Sequence, residues 1–522
     1  MNDFADLLED LLLTSSKKKK IELLTNYFQK SEKRDKGWTF LILTTGIKKK
    51  YFNTKDLKEL VIKRVGETLF KYSYDYVGDL AETISLLWKP KHKNKLDYKL
   101  YEFMEFLSSV TNKELLKIKL ETTLDNSTEK QRFCFLKILT GGLRVGVSNA
   151  LIKEALVKYG RRKLVDIEEL WHGFRPPYED FFSWLDGQNL PKYINKRNLF
   201  NSFMLANNFK IEDFLNRKIE DFISEFKWDG IRAQLIVSKN GRIFSRNGED
   251  ITNSFPDINV DYDDYFVVDG EIVIKKNNKI LSFNDLQKRI GRKSLTNKLL
   301  NDYPAHFIAY DILFYKKIDC RPLKLTERKQ YLKKFAELNN QITFSESINF
   351  STWKQLEDIR ENSLNNHIEG VIVKNKNSIY KKGRVVEGWY KWKRRPFSMD
   401  FIIMYAQRGH GKRSSFYSDF TFGCWTNKKF KELVPIGKAY SGYSNEELKK
   451  LDIWIRNNTL QRFGPVRSVK AGLVIEVAFD NINYSTRHKS GVALRFPRFS
   501  RIRWDKPVSD VCILKDVKDL IN

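Results

Sequence analysis

Cysteine is scarce: Cys134, Cys320, Cys424 and Cys512 are the four in 522 residues, and no two have CxxC spacing. That scatter argues against a zinc finger and against a disulfide framework, and it fits a reducing compartment. Long apolar runs are missing too, so nothing reaches the roughly 20 residues that a membrane-spanning helix requires. The opening Met1-Asn2-Asp3-Phe4 leads into Glu9 and Asp10 without a basic start or a continuous apolar stretch, so no secretory leader is expected. Gly409-His410-Gly411-Lys412 lacks the GxxxxGK[ST] spacing of a phosphate loop and has no parallel βαβ pattern around it; a surface loop is expected there. No long-period repeat is present. A soluble, cytoplasmic protein with no membrane partner is the expectation.

What the chain does have is positive charge. Lysine and arginine number 94 against 65 acidic residues, a formal net charge of +29. Such an excess favours a polyanionic partner, foremost nucleic acid, with salt-sensitive binding. Lysine and asparagine are abundant throughout, so a genome-wide compositional bias stands as the other reading. With 41% hydrophobic and 14% aromatic residues, the chain can build real cores, and its length predicts two to four domains.

The texture changes along the chain. Residues 1–205 read as an all-α domain. Phe4, Leu7, Leu8, Leu11 and Leu12 have helical spacing, with Asn2 or Asp3 as the expected cap, and similar patterning recurs at 115–124 and 132–139. The basic run 17–20 reads as a solvated face opening the next helix. Residues 206–396 read as α+β. Strands are expected at 230–237, 243–245, 266–274, 307–314 and 370–374, with a tight turn at Asn240-Gly241 and helices at 283–289 and 325–338; Pro396 marks a break. Residues 397–522 carry short glycine-punctuated strands, for example 474–479, that suit an all-β oligonucleotide-binding (OB) fold.

The richest segment for chemistry is Glu225-Phe226-Lys227-Trp228-Asp229-Gly230-Ile231-Arg232. In an extended chain Lys227 and Asp229 share a side, and Gly230 lets the backbone pass close to a bound group. A lysine becomes a nucleophile when burial and neighbouring cations supply its neutral form. As a lone tetrapeptide KxDG also fits a charged strand entrance. The segments that follow weigh more. Ser245-Arg246-Asn247-Gly248-Glu249 ends the hairpin and brings Arg246 towards Lys227. Val268-Asp269-Gly270-Glu271 and Glu369-Gly370-Val371-Ile372-Val373-Lys374 each set a carboxylate in an apolar strand, and Trp389-Tyr390-Lys391-Trp392-Lys393 alternates aromatics with cations. Half-buried glutamates beside lysines and arginines suit a metal and phosphates, since Mg²⁺ takes one or two carboxylates plus phosphate oxygens.

In this order the segments resemble the motif series of the covalent nucleotidyltransferases: ATP-dependent DNA ligases, RNA ligases and mRNA capping enzymes. The resemblance covers residues 225–506. It implies a nucleotidyltransferase fold for the α+β domain and ATP as adenylate donor. Mg²⁺, or Mn²⁺ in its place, is the implied metal, held by Glu271 and Glu369. Lys227 would attack the α-phosphate, with Asp229 of the same motif beside it. Glu225 would read the adenine amino group and Tyr310 would stack on the base. Arg232 would hold ribose or phosphate, Arg246 the 5′-phosphate of a nick, Glu271 and Glu369 the ribose as well, and Lys391 and Lys393 the α-phosphate. Relatives often carry an arginine six residues before the first of those lysines. Val385 stands there in this chain, so that role passes to the adjacent Arg384. The run from Arg495 to Pro507 resembles the last ligase motif, and Arg503, Asp505 and Lys506 would orient the pyrophosphate leaving group.

The helical region ahead of Lys227 points to DNA. Capping enzymes and many RNA ligases place this lysine near the start of the module. Gly141-Gly142-Leu143-Arg144-Val145-Gly146 resembles the DNA-binding turn of larger ligases and makes Arg144 and Gly146 DNA-contact residues; a plain helix–helix turn explains it as well. Tyr72-Ser73-Tyr74-Asp75-Tyr76-Val77-Gly78-Asp79-Leu80-Ala81-Glu82-Thr83, with Leu86-Leu87-Trp88, resembles bacterial ATP-dependent ligases of the cisplatin damage response type; Trp171-His172-Gly173 and Arg175-Pro176-Pro177-Tyr178 add loose support. That branch implies DNA repair. NAD-dependent ligases carry a zinc finger and a BRCT domain, and neither has a signature here. The expectation is a monomer that encircles nicked duplex DNA and works at the nucleoid. An RNA ligase and a non-catalytic basic DNA-binding protein are the alternatives.

Overall fold

The computed structural model describes residues 1–44, 46–47, 51–90, 98–110, 112–141, 143, 145–195, 198–290, 292, 295–338, 341–363, 367–409, 416–486 and 488–521. Residues 410–412 of the glycine-rich run, and Gly142 and Arg144 of the turn, lie outside them. By compactness the chain divides into two units, one of Met1–Leu164, Arg175–Asn189 and Pro396–Asn522, the other of Val165–Phe174 and Leu190–Arg395.

The first unit opens with helix α1, Asn2–Leu13, which buries Phe4, Leu7, Leu8 and Leu11. Each such side chain contributes roughly 1.5–3 kcal/mol on burial. Leu12, at the edge of the stripe, is 47% exposed. Met1, not Asn2 or Asp3, occupies the cap position, and the Asn2 carboxamide oxygen instead accepts from Gln131 Nε2 at 2.6 Å. Helix α2, Lys17–Lys30, starts on the basic run and is capped by the Ser16 hydroxyl, which accepts from the Lys19 amide. Lys20 departs from the expected solvated face. It is 7% exposed and donates to the carbonyls of Val145 and Gly146 at 2.8 and 3.0 Å. Helices α3, Lys113–Asp125, and α4, Glu129–Thr140, lie where the periodicity placed them, and Gly141 ends α4 in the left-handed region.

The last segment of that unit, Pro396–Asn522, is sheet-rich. Strand β9, Phe397–Arg408, begins just after Pro396. Its first half pairs with β14, Val474–Phe479, and its second half with β10, Tyr417–Trp425, and β13, Val466–Val469. Strand β11, Leu433–Ala439, pairs with β10, and β12, Thr459–Phe463, with β13. Strand β15, Arg498–Arg503, pairs with β14, and one helix, α6, Asn445–Asn457, adds Leu448, Leu451 and Ile455 to the core.

In the second unit two sheets share the chain. One runs in the order β6-β5-β4-β2-β3, with β2 Ile231–Val237, β3 Arg242–Ser245, β4 Phe266–Lys276, β5 Ala305–Tyr315 and β6 Ile342–Phe344. The other joins Asn207–Asn208 to β8, Trp389–Lys393, then β7, Ile368–Asn375, then β1, Phe222–Trp228. The chain therefore leaves one sheet at Trp228 and enters the other at Ile231, through Asp229 and Gly230. Between them sits an apolar layer that includes Phe203, Met204, Val267, Leu313 and Trp389. Helix α5, Leu325–Ala336, covers the first sheet with Leu325, Leu332 and Phe335. The β2–β3 connection is longer than a two-residue turn: residues 238–241 form it, Asn240 takes φ +60, and a Cβ on Gly241 would lie 2.0 Å from the Val260 carbonyl.

Candidate active site

Strand pairing fixes the nucleophile candidate. On β1, Lys227 lies opposite Gly370 of β7 and Glu225 opposite Ile372. Gly370 has φ +145, and a Cβ there would come 2.3 Å from the Trp392 carbonyl, so glycine is required. The preceding Glu369 reaches back: its Oε2 accepts from Lys227 Nζ at 2.5 Å and lies 3.8 Å from Lys393 Nζ. Strand alternation stops before Asp229. That residue is buried, follows the end of β1, donates its amide to the His367 carbonyl at 3.0 Å, and does not line the cavity that Lys227 faces. Gly230 lines the cavity and also packs tightly: a Cβ on it would lie 2.4 Å from the Ile272 carbonyl and 2.7 Å from Glu271 Cγ.

The cavity, about 420 Å³, is lined by Lys227, Glu225, Arg232, Arg246, Glu271, Tyr310, Glu369, Arg384, Lys391 and Lys393, together with Lys374 and Trp389. This size suits a nucleotide-sized ligand. Ten residues singled out in the sequence thus come together. On β8 one face carries Trp389, Lys391 and Lys393 to the cavity, and the other packs Tyr390 and Trp392 into an aromatic cluster with Phe209, Phe214 and Trp353. Val385 packs in the apolar layer while Arg384 lines the cavity, so the one-residue offset places the arginine at the site.

At one end, Glu225 is 1% exposed. Its Oε1 faces Lys329 Nζ at 2.5 Å and Lys374 Nζ at 3.0 Å, while its Oε2 is buried without a hydrogen-bond partner. A buried acceptor in that state is open to a donor from a ligand or a water. The Lys374 ammonium also donates to the Tyr310 carbonyl at 3.3 Å and stands over the Tyr310 and Trp389 rings at 5.0 and 4.4 Å. Burial lowers the Lys374 ammonium to about 8. Sequence reading missed Lys374 and Lys329; a lysine ending the apolar run of β7 was the available signal for the first. Arg232 spends its Nε and Nη2 on both carboxylate oxygens of Asp269, at 3.1 and 2.8 Å, and its Nη2 also on the Met204 carbonyl, while Tyr380 holds Asp269 from the other side.

At the other end the charges are cationic. Burial lowers the Lys391 ammonium, and the positive charges of Arg384, Lys393, Lys227 and Arg246 push it the same way. Such a cluster is primed for phosphate oxygens. Burial raises Glu271 to about 8, with Lys227 and Arg232 opposing and Glu369 reinforcing. No group of three or more His, Cys, Asp or Glu gathers as a metal cage among the described residues. Glu271 and Glu369 supply two carboxylates in one cavity with the cation cluster, a donor set that fits Mg²⁺ only when phosphate oxygens complete it.

A raised carboxyl stabilises the fold below its unfolded value and loses that contribution as pH rises through the folded one. Without nucleotide or divalent cation, raising the pH from 4.5 to 8 is therefore expected to lower the wild-type Tm relative to Glu271→Gln. Parallel Tm–pH curves for the two proteins, measured by calorimetry, would refute this.

Arg503, Asp505 and Lys506 belong to the first unit and form their own cluster. Arg503 pairs with Asp505 through two bonds of 3.1 and 3.0 Å, and Lys506 meets Asp400 at 2.7 Å. Gly146 has φ +63 and rests on Lys20, whose Nζ a Cβ would approach to 2.8 Å.

Comparison with known proteins places the chain in a family. Three family models match in succession: DNA ligase N terminus over residues 1–157, ATP dependent DNA ligase domain over 203–393, and ATP dependent DNA ligase C terminal region over 413–506. A probable DNA ligase of Koribacter versatilis (strain Ellin345) is 29% identical, with all of this chain and 96% of that protein aligned. DNA ligase 1 of Korarchaeum cryptofilum (strain OPF8) is 27% identical, covering 100% and 98%. The solved structure Pmar-Lig_Pre shares the fold at a TM-score of 0.59 and 17% identity, over 96% of this chain and 99% of that one. With the three models together spanning most of its length, the chain belongs to the ATP-dependent DNA ligase family.

Proposed function

We propose that Lys227 is the residue that carries AMP in this ligase. Its position between the unpartnered Glu225 oxygen and the cluster of Arg246, Arg384, Lys391 and Lys393 supports that reading best. One end of the cavity offers an acceptor to the adenine amino group, with Tyr310 as the stacking surface. The other end offers cations to the triphosphate. Lys227, as a neutral amine, attacks the α-phosphorus; a bond from nitrogen to phosphorus forms, the bridging oxygen bond breaks, and pyrophosphate leaves. Glu369 orients the amine, and Lys391 and Lys393 offset charge that grows in the transition state. AMP then passes to the 5′-phosphate at a nick, held by Arg246, and the 3′-hydroxyl displaces it. Glu271 and Glu369 would hold a divalent cation, Mg²⁺ or Mn²⁺, which supplies charge neutralisation on the phosphates when bound. Asp229 acts from behind the strand end as a positioning residue, and Arg232, held in the lining by Asp269, holds ribose or phosphate.

We also propose three domains, 1–205, 206–396 and 397–522, the last an OB-fold whose Arg503, Asp505 and Lys506 serve the leaving pyrophosphate. Arg144 and Gly146 touch DNA phosphates. The chain acts as a monomer closed around nicked duplex DNA at the nucleoid; the net charge of +29 favours that partner. The resemblance of residues 72–83 to damage-response ligases favours repair. No helix among the described residues is long and apolar enough to cross a membrane.

The test is transfer of label. With α-labelled ATP and Mg²⁺ the protein acquires acid-labile label, which moves to nicked DNA and is released on sealing. Label confined to the protein, or sealing of nicked RNA alone, would overturn the assignment. Lys374→Met is expected to raise the ATP concentration for half-maximal labelling by roughly 10-fold or more, because a hydrogen bond to a charged group contributes about 1.5–3 kcal/mol; an unchanged titration curve would remove Lys374 from the base site.

A further inference from the structure

We infer that Cys424 and Cys512 form a reversible dithiol–disulfide pair, an oxidative modification site that ties the segment after β15 to strand β10. All four cysteines are free thiols in this structure. Their sequence separation hides the pair, and the backbone reveals it. Trp425, which ends β10, forms an isolated parallel bridge with Ile513. Parallel pairing sets the residues just before each partner, Cys424 and Cys512, side by side with their Cβ atoms on one face. Paired strands lie about 4.7–4.9 Å apart, inside the Cα separation of roughly 4.4–6.8 Å that a disulfide spans.

The side chains agree. The Cys512 thiol donates to the Asp400 carbonyl at 3.0 Å, and Cys424 is its hydrogen-bonding neighbour, which together with burial pushes the Cys512 thiol up. Cys424 is fully buried, whereas Cys512 keeps some exposure, so an oxidant from solvent meets Cys512 first. The segment is otherwise docked by the Trp425 Nε1 bond to the Val508 carbonyl at 2.7 Å and by buried Val511 and Val517. The other two cysteines have different neighbours: Cys134 lies against Met1 Sδ, and Cys320 against the Ile318 carbonyl.

The oxidant class is a hydroperoxide. Cys512 loses its proton and its sulfur attacks the peroxide oxygen; the O–O bond breaks, leaving a sulfenic acid and, from hydrogen peroxide, water. Cys424 sulfur then attacks the Cys512 sulfur. The S–S bond forms, the S–O bond breaks, and hydroxide leaves with the Cys424 proton as a second water. Two thiols and one hydrogen peroxide give one disulfide and two waters, and a dithiol reductant reverses the result. Because the Cys512 thiol is raised, the first step is slower than at an ordinary exposed cysteine.

The full chain, treated with hydrogen peroxide, alkylated, digested without reductant and read by mass spectrometry, is expected to give one cross-linked species joining the Cys424 and Cys512 peptides, lost on dithiothreitol treatment. Its thermal midpoint should rise by about 5 °C or more, as a long closed loop predicts, and Cys512→Ser, which keeps a donor for the Asp400 carbonyl, should show no rise. The inference fails if Cys512 is recovered as sulfinic or sulfonic acid with Cys424 alkylated, if both are recovered as thiols, or if another cysteine is the partner. The wild-type mapping alone decides the site, whatever the variant's folding.

Discussion

Replacing Lys227 with alanine is expected to lower protein-adenylate formation by at least about 10³-fold, the scale on which loss of a covalent nucleophile acts, while sealing of a nick that already carries AMP on its 5′-phosphate survives. The split follows from geometry. On the proposed assignment the first step forms a bond to Lys227 Nζ, which lies 2.5 Å from Glu369 Oε2, whereas Lys393 Nζ stands 3.8 Å from it. In the last step the attacking group is the 3′-hydroxyl of DNA, and the cavity needs only to hold AMP. Radiolabelled ATP measures the first step and a synthetic adenylated nick the last. If both fall together, Lys227 supports the site structurally and is not the AMP carrier; if neither falls, the nucleophile lies elsewhere.

The largest effect on stability is expected at Asp311. Its carboxylate takes two bonds from Arg328, at 2.7 and 2.8 Å, and neither side chain is exposed. Arg328 also donates to the carbonyls of Leu323 and Ser378, so one guanidinium joins β5, the start of α5 and the loop after β7. Asp311→Ala strands that buried cation, and such a loss costs about 3–5 kcal/mol. At roughly 2–4 °C per kcal/mol for a unit of this size, the drop in Tm is about 6–20 °C. The double variant Asp311→Leu with Arg328→Met removes both charges and should recover most of it. Calorimetry of the two proteins separates the cases: equal destabilisation would mean that packing, rather than the unpaired charge, sets the cost.

Much of the site was legible because a strand repeats every two residues and because the motifs arrive in order. Glu225 and Lys227 fall on one face of β1, Lys391 and Lys393 on one face of β8, and the hairpin carries Arg246 to the cavity. The helices at 115–124 and 132–139 declared themselves by spacing alone. What stayed hidden depends on distant contacts. Lys329 lies on a helix and gives no periodic hint that it meets Glu225. Lys20 looked like one of four surface lysines until its ammonium was seen to hold the carbonyls of Val145 and Gly146. Gly230 does line the cavity as its motif suggests, but the close approach of β4 that also demands glycine there is a tertiary contact no sequence pattern shows. Asp229 was placed beside Lys227 on the assumption that β1 runs on, and a strand's end is a property of the sheet it joins.

The passage from one sheet to the other at Asp229 and Gly230 makes the layer between the sheets a ruler for the chemistry. Lys227 is fixed to the frame of β7 and β8, while Arg232 and Glu271 are fixed to the frame of β4 and β5. The distance from Lys227 to the Glu271 carboxylate is then set by side chains that do not line the cavity, among them Met204, Val267 and Leu313. A methyl group gained or lost there is felt as displacement, because a close-packed interior transmits volume change. Substitutions at those three positions are therefore expected to move the cavity's two walls relative to each other, although the side chains they change lie outside its lining.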